Sequence, residues 1–373
     1  MSNSIRLKVA IVFIIGIVQA FFIEFLLLGK KNKSLTDKIL AMWMFVIGLH
    51  LFLHYLFYVE YYNTFPFFMG VMQPLPLIHG PFLLLYIQFL ISDRPAFEKK
   101  HWLHFIPVAV FYVVIFPDAF LRSSAELMEF AFETLETDPP LYWMFFEVLI
   151  NLSGVVYVVW SLIILRKHKK NIKNNFSYTE KINLDWLVVL IAGMAVIWVV
   201  VLLSTETGDY IFVAVTGFIF AIGYFGSRQV AIFSNPISAD TKKASPSKEK
   251  YEKSTLTEAK SQEHLESLQS LMSGEKPYLE SKVTLKEISD RMEIHPNHLS
   301  QVINEKLNQN FFDFINSHRV GEFKERLAGD TAKKFTLLAH AYDSGFSSKS
   351  SFNEVFKKFT GLTPSQYQKN LSD

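Results

Sequence analysis

Residues 284–367 read TLKEISDRMEIHPNHLSQVINEKLNQNFFDFINSHRVGEFKERLAGDTAKKFTLLAHAYDSGFSSKSSFNEVFKKFTGLTPSQY. This stretch holds two short helix–turn–helix patterns, one roughly a copy of the other. In the first, Ile288 and Ile294 precede Leu299, Val302 and Ile303; in the second, His340 and Phe346 precede Phe352, Val355 and Phe356. The offset is 52 residues from Ile294 to Phe346 and 53 from Ile303 to Phe356, and the pairs Asn308–Gly361 and Phe314–Tyr367 keep the spacing of 53. A duplication of this size is an internal repeat, and it decides how the region is read.

Local chemistry sets the element boundaries. Thr284-x-x-Glu287 is a capping box that opens a scaffold helix running to about Met292. A turn at 293–295 leads to Pro296, suited to the first position of a new helix. That helix, 297–307, buries Leu299, Val302 and Ile303 and leaves Asn297, His298, Ser300, Gln301 and Asn304 outside. A long amphipathic helix over 310–328 joins the halves through Phe311, Phe314, Ile315, Phe323 and Leu327. Thr336 caps the second scaffold helix, Gly345 makes its turn, and Ser347 or Ser348 opens a second outer helix over 348–360. Gly361 ends that helix and Thr363-Pro364 starts a last short one. The two units, 284–307 and 336–360, each offer one helix of the kind that enters a DNA groove.

Upstream the composition changes. The chain has 373 residues, 50% of them hydrophobic, and the apolar ones crowd into 1–228. Seven apolar stretches are long enough to cross a bilayer, which takes about 20 helical residues: they lie near 8–29, 37–59, 71–92, 102–120, 141–165, 184–204 and 209–227. The first lacks a small-residue cleavage site and reads as an anchor, not a signal peptide. Basic residues orient the set. Lys30, Lys31, Lys33 and Lys38 fill the first loop, Arg94, Lys99 and Lys100 the third, and Arg166, Lys167, Lys169, Lys170, Lys173 and Lys181 the fifth. The odd loops therefore face the cytoplasm, the N-terminus lies outside and the C-terminal tail lies inside. Arg6 and Lys8 oppose this weakly. Pro74, Pro76 and Pro81 predict an irregular third span.

Ionisable groups within the spans are costly and face the bundle interior or a partner. His50 and His54 stack at i,i+4, and the topology puts His79 and Glu147 at the same outer-half depth. These four form a candidate sensing pocket; the alternative is interhelical hydrogen bonding. No metal site is expected, since HExxH and a second ligand pair are missing, and the absence of Cys excludes thiolate sites, disulfides and cysteine catalysis. No catalytic triad, P-loop or paired carboxylates are visible, so neither an enzyme nor a cofactor is expected. The polar, Lys-, Ser- and Glu-rich stretch 231–263 reads as a flexible linker.

The stretches LKEISDRMEIHPNHLSQVINEKL, FFDFINSHRVGEFKERL and GFSSKSSFNEVFKKFTGLTPSQY resemble the DNA-binding domain of AraC-type transcriptional regulators. The arrangement of seven spans followed by such a domain resembles the membrane-bound AraC-type regulators of Bacteroidetes-like bacteria. The resemblance implies that the two outer helices enter successive major grooves. Base-edge contacts would then come from Asn297, Ser300 and Gln301 and from Lys349, Ser350, Ser351 and Glu354, with Lys357 and Lys358 on phosphates. Four positions depart from the family pattern: His340 for a buried Ile, Glu354 for Arg, Asn308 for Gly and His295 for an N-cap Ser. Between 270 and 373 there are 14 Lys and Arg against 13 Asp and Glu, a small basic excess for a DNA binder.

The expectation is an all-α chain with a seven-helix transmembrane sensor over 1–230, the linker and a DNA-binding domain over 264–373. Its function would be that of a one-component regulator in a bacterial inner membrane. Its partners would be double-stranded promoter DNA, the lipid bilayer, a small-molecule, lipid or protein signal, and a second copy on DNA. The alternative is a transporter or membrane enzyme with an autoregulatory DNA-binding tail, which requires a polar path through the whole bilayer.

Overall fold

The computed structural model describes residues 3–92, 95–136, 140–178, 185–203, 209–228, 256–329 and 334–372. Among these the regular structure is helical, with one isolated antiparallel bridge between Phe176 and Thr284. The chain divides into two compact units. One is built on Met1–Arg166 and Leu184–Ala239, the other on Lys167–Asn183 and Asp240–Asp373.

The first unit contains α1 (Asn3–Leu28), α2 (Leu35–Tyr58), α3 (Phe68–Met72), α4 (Pro76–Leu90), α5 (Ile106–Phe120), α6 (Ser124–Glu136), most of α7 (Leu141–Asn175), α8 (Asp185–Leu203) and α9 (Asp209–Arg228). Six helical segments are long and apolar enough to cross a membrane: Ser4–Leu28, Leu35–Tyr58, Phe68–Leu90, Lys99–Phe120, Leu141–Asn175 and Trp186–Leu203. The seventh expected span corresponds to a shorter apolar helix, Asp209–Phe225. At about 1.5 Å per residue this apolar part of α9 falls short of the ~30 Å hydrocarbon thickness, so among the described residues six segments rather than seven are both long and apolar enough.

Sequence chemistry explains several boundaries. Ser34 and Asp37 form a reciprocal capping box at the start of α2, and Lys30 reaches the same carboxylate at 2.7 Å. The third span is broken between α3 and α4, with Pro74 in the break and Pro81 inside α4. Arg6, which argued against the assigned orientation, pairs with Glu60 at 2.7 Å, so its charge is locally neutralised. The core of this unit gathers Trp43, Met44, Leu51, Leu83, Leu187, Ile191 and Ile219. α7 approaches α8 where Gly154 faces Trp198; a Cβ on Gly154 would lie 2.1 Å from the indole. α6, between the fourth and fifth expected spans, is an additional helix opened by the Ser123–Glu126 pair.

The second unit holds α10 (Glu258–Gly274), α11 (Leu285–Arg291), α12 (Pro296–Lys306), α13 (Phe311–Ala328), α14 (Leu337–Asp343), α15 (Lys349–Thr360) and α16 (Pro364–Ser372). Most of the expected linker lies outside the described residues, but its last residues, from Glu258, are the first turns of α10. Two cores form, one per repeat. Leu285, Ile288, Leu299 and Ile303 close on Leu268 and Met272 of α10. Phe346, Phe352, Val355 and Phe356 close on Ala341. α13 serves both cores, with Phe311, Phe314 and Ile315 in the first and Phe312, Val320, Phe323 and Leu327 in the second.

Arg319, at the middle of α13, is 1% exposed. Its Nε donates to the Tyr278 carbonyl at 2.8 Å and its Nη2 to the Glu280 carbonyl at 2.7 Å. A buried guanidinium is tolerable only when its donors are met in this way.

Candidate nucleic-acid interface

The caps read from the sequence place both outer helices. Thr284 and Glu287 form the capping box of α11. His295 takes the N-cap of α12 by accepting from the Asn297 backbone N–H through Nδ1 at 3.2 Å, so the imidazole substitutes for the usual hydroxyl. Asn308 adopts the left-handed region at φ 51° after α12, as its position in the repeat requires. In the second repeat Thr336 caps α14, Ser348 caps α15 through the Ser351 N–H, and Gly361 ends α15 at φ 75°.

Each helix buries one stripe, Leu299, Val302 and Ile303 on α12 and Phe352, Val355 and Phe356 on α15. The opposite stripes carry the proposed contact residues. Asn297, Lys349, Ser350, Glu354, Lys357 and Lys358 are exposed, while Ser300, Gln301 and Ser351 are half-buried. Asn353 is exposed on the same side of α15, three residues after Ser350, and was not among the expected contacts.

Three of the expected contact residues are already engaged, Ser300 through its Oγ, which accepts from Asn304 Nδ2 at 3.3 Å. Gln301 Nε2 donates to Glu305 Oε1 and Oε2, both at 3.1 Å. Lys358 Nζ donates to Asp313 Oδ1 at 2.6 Å, tying α15 to the start of α13. Lys357 is therefore the better placed of the two lysines for a phosphate. Both sit in the last turn of α15, where the helix dipole favours cations.

His340 is 1% exposed in the second core, and its Nε2 has no hydrogen-bond partner among the described residues. Glu322 is a supporting group that sequence reading passed over. Burial works against its charge, yet hydrogen bonds and charge from Lys276 and Arg326 outweigh it and hold the carboxyl below the usual range.

His318 stacks on Tyr278 at 5.3 Å and meets the edge of Phe314 at 4.9 Å. Burial lowers its pKa below the ordinary 6.5. A histidine kept neutral in the fold contributes stability that is complete above the unfolded value and is lost as pH falls below it. Thermal unfolding of this unit in the intact protein is thus expected at a lower temperature at pH 5.5 than at pH 7.5. His318→Phe should remove part of the difference. The remainder falls to His298, which is lowered in the same direction by burial, then by His295, His264 and Lys260. An unchanged difference in His318→Phe would assign the effect elsewhere.

In the first unit the four candidate pocket residues separate. His50 Nδ1 and His79 Nε2 are 3.0 Å apart and their rings are stacked. His54 lies 3.6 Å face to face with Phe212, and its Nε2 is 3.4 Å from Asp209 Oδ1. Glu147 is exposed on α7 and is not brought to the histidines. His50 and His79 border a cavity of about 220 Å³ walled by Ile47, Ile150, Ile197, Trp198, Phe212 and Val215, among others. Trp198 is 5% exposed, and its Nε1 lacks a partner among the described residues. No group of three or more metal-ligating side chains occurs among the described residues.

Comparison with known proteins bears on the second unit. Residues 288–370 match a family described as a helix-turn-helix domain. Three curated relatives, from Staphylococcus aureus strains COL, MSSA476 and N315, are each called an uncharacterized HTH-type transcriptional regulator. Each is 36% identical over 86 residues, which is 23% of this chain. The match spans only 11% of the length of those relatives. A solved structure of a protein of unknown function from Listeria innocua is 28% identical over 28% of this chain and 94% of its own, with a TM-score of 0.25. The chain thus carries a C-terminal helix-turn-helix domain and is similar, over that part, to HTH-type transcriptional regulators.

Proposed function

We propose that the chain is a membrane-anchored one-component transcription regulator whose two helix-turn-helix units read promoter DNA under the control of a signal received by the first unit. The observation that carries the DNA reading is the duplication. Two repeats each have a separate core and each present one capped helix with a polar outer stripe. The test is genome-wide mapping of DNA cross-linked to the full-length protein. The expected result is a limited set of promoters sharing two half-sites about one helical turn, 10–10.5 bp, apart. No promoter enriched above a mock control would end the reading.

Membrane anchoring rests on six segments of spanning length and on their outward faces. Phe25, Val113 and Leu203 are 72%, 74% and 75% exposed, surface that suits lipid and not water. In this reading α9 completes a seven-helix bundle, the N-terminus is outside and the DNA-binding unit is cytoplasmic. A reporter active only in the cytoplasm is expected to work when fused after Arg228 or within 166–181, and to fail within 121–139. The reverse pattern would invert the topology.

The cavity beside His50 and His79 suits a small, largely apolar molecule with one hydrogen-bonding group. The walls favour this over the transporter alternative, because only the two imidazoles and the Trp198 indole interrupt an apolar lining. Val215→Phe, which fills the cavity, and His79→Gln should leave protein abundance near normal. The set of occupied promoters should then stop changing between growth conditions. Unaltered switching in both variants would remove the cavity from the mechanism. Binding to DNA as a homodimer is part of the same proposal, since the small basic excess of the domain favours two linked contacts over one.

A further inference from the structure

The residues that follow α7 belong to the DNA-binding unit. Phe176 bridges Thr284, the N-cap of α11. Ser177 donates twice to the Val283 carbonyl, from N–H at 3.3 Å and from Oγ at 2.7 Å. Its own carbonyl accepts from Asn316 Nδ2 and from Arg319 Nη1, both at 3.2 Å, and its Oγ accepts from Arg319 Nη2 at 3.2 Å. One turn earlier, Lys173 Nζ lies 6.0 Å over the Phe312 ring.

This is a built socket and not a grazing contact. Ser177, Arg319 and Asn316 are 1%, 1% and 0% exposed. Two sides of the guanidinium are fixed by the Tyr278 and Glu280 carbonyls, and the remaining donors turn to residue 177 and to Asn316 Oδ1. Withdrawal of the segment would leave donors of a buried charge, and the Val283 carbonyl, without these partners, which is costly unless water replaces them. The contacts fall on α13, which joins the two repeats, and on the entry to α11. Among the described residues, none of the hydrogen bonds of Ser177 reaches α12 or α15, so the outer helices stay open for DNA.

We propose that residues 176–178 are a clip. They are a short segment of this same chain, directly after α7, that docks at Arg319, and through it α7, whose Ile150 lines the cavity, acts on the helix joining the two DNA-reading halves. A peptide added beside an existing backbone edge gains main-chain hydrogen bonds, and a side-chain socket supplies selectivity. The docking stands without the regulator reading; the effect on DNA rests on it.

The chain contains no Cys, so an engineered pair reports one contact only. Opposed residues of an antiparallel bridge have Cα atoms about 4.5–5.5 Å apart, inside the range of about 4.4–6.8 Å a disulfide accepts. In full-length protein reconstituted in lipid nanodiscs, Phe176→Cys with Thr284→Cys is expected to oxidise intramolecularly in most molecules under mild oxidant. Phe176→Cys with Gln301→Cys should do so in fewer than one in ten. Equal yields would overturn the docking.

The oxidised double variant is then compared with its reduced form and with Ser177→Pro, which lacks the N–H that Val283 accepts, on a DNA site recovered by the mapping. Clipped and released forms should differ in affinity by at least ten-fold. Ser177→Gly, which keeps the N–H and loses Oγ, should lie between them and serves if the proline variant fails to fold. Affinities agreeing within two-fold while the disulfide forms would make the segment merely structural and overturn the coupling. Failure to recover any enriched DNA, with the disulfide intact, would strike the regulator reading instead and take the coupling with it.

Discussion

Gly345→Ala is expected to unfold the DNA-binding unit or to lower its melting temperature by at least about 8 °C, on the basis of ~4–8 °C per kcal/mol for a domain of this size. Gly345 sits at φ 91°, and a Cβ there would lie 2.2 Å from the Tyr278 carbonyl oxygen and 3.0 Å from Arg319 Nε. Those two atoms are hydrogen-bonded to each other, so the methyl group wedges into the bond that holds the buried guanidinium. Left-handed strain of roughly 1–2 kcal/mol adds to a lost buried hydrogen bond of about 1–3 kcal/mol. The sum, about 2–5 kcal/mol, is a large share of the ~5–15 kcal/mol by which domains are stable. Gly361→Ala is the control. It shares the positive φ, 75°, but its Cβ would meet nothing within 4 Å, so only the conformational strain applies. Calorimetry of the two variants in the full chain checks this; equal losses would show that the Tyr278 clash is not what matters.

Loss of specific DNA binding is the second large effect. Removing a base contact costs about 1–3 kcal/mol, and contacts on separate helices add when they are distant. Gln301→Ala with Lys349→Ala should therefore weaken the specific site by about 2–6 kcal/mol, roughly 30-fold to more than 10⁴-fold. Lys357→Ala should weaken all sequences alike and reduce the salt slope by about one unit. The Gln301–Glu305 hydrogen bonds add a distinct expectation. The Gln301 amide must leave Glu305 before it can pair bidentately with adenine, so Glu305→Ala should tighten binding, both by freeing the amide and by removing a negative charge. Fluorescence anisotropy with specific and scrambled duplexes separates the three cases. Specific binding untouched by the double variant would refute the assigned contacts.

What the sequence made legible was local chemistry. Thr284, Thr336, Ser348 and Gly361 mark their helix ends because a cap is satisfied within three or four residues, and the stripes on α12 and α15 follow from helical spacing. Asn308 was readable for the same reason, its conformation being set by the repeat. Position around an apolar helix was not readable. α7 is apolar on all sides through its first turns, so no stripe told that Glu147 turns away from the histidines. The partner of His54 was equally hidden, since Asp209 is 155 residues downstream on another helix. α6 went unseen because its loop was read by charge, not by period. Lys358 was assigned to phosphate on motif position alone, and its ion pair with Asp313 depends on how α13 and α15 cross.

The discontinuity of the DNA-binding unit fixes an order of events during synthesis. Ser177 and Arg319 are 142 residues apart. At about 5–20 residues per second the ribosome takes roughly 7–30 s to make the stretch between them. During that interval the end of α7 has left the ribosome without its acceptor, while α8 and α9 are still being made. The DNA-binding unit can reach its final form only after the first unit has all its helices. A nascent chain stalled or truncated before residue 319 carries an unoccupied segment 176–178, and the DNA-binding unit is never complete ahead of the helices of the first unit.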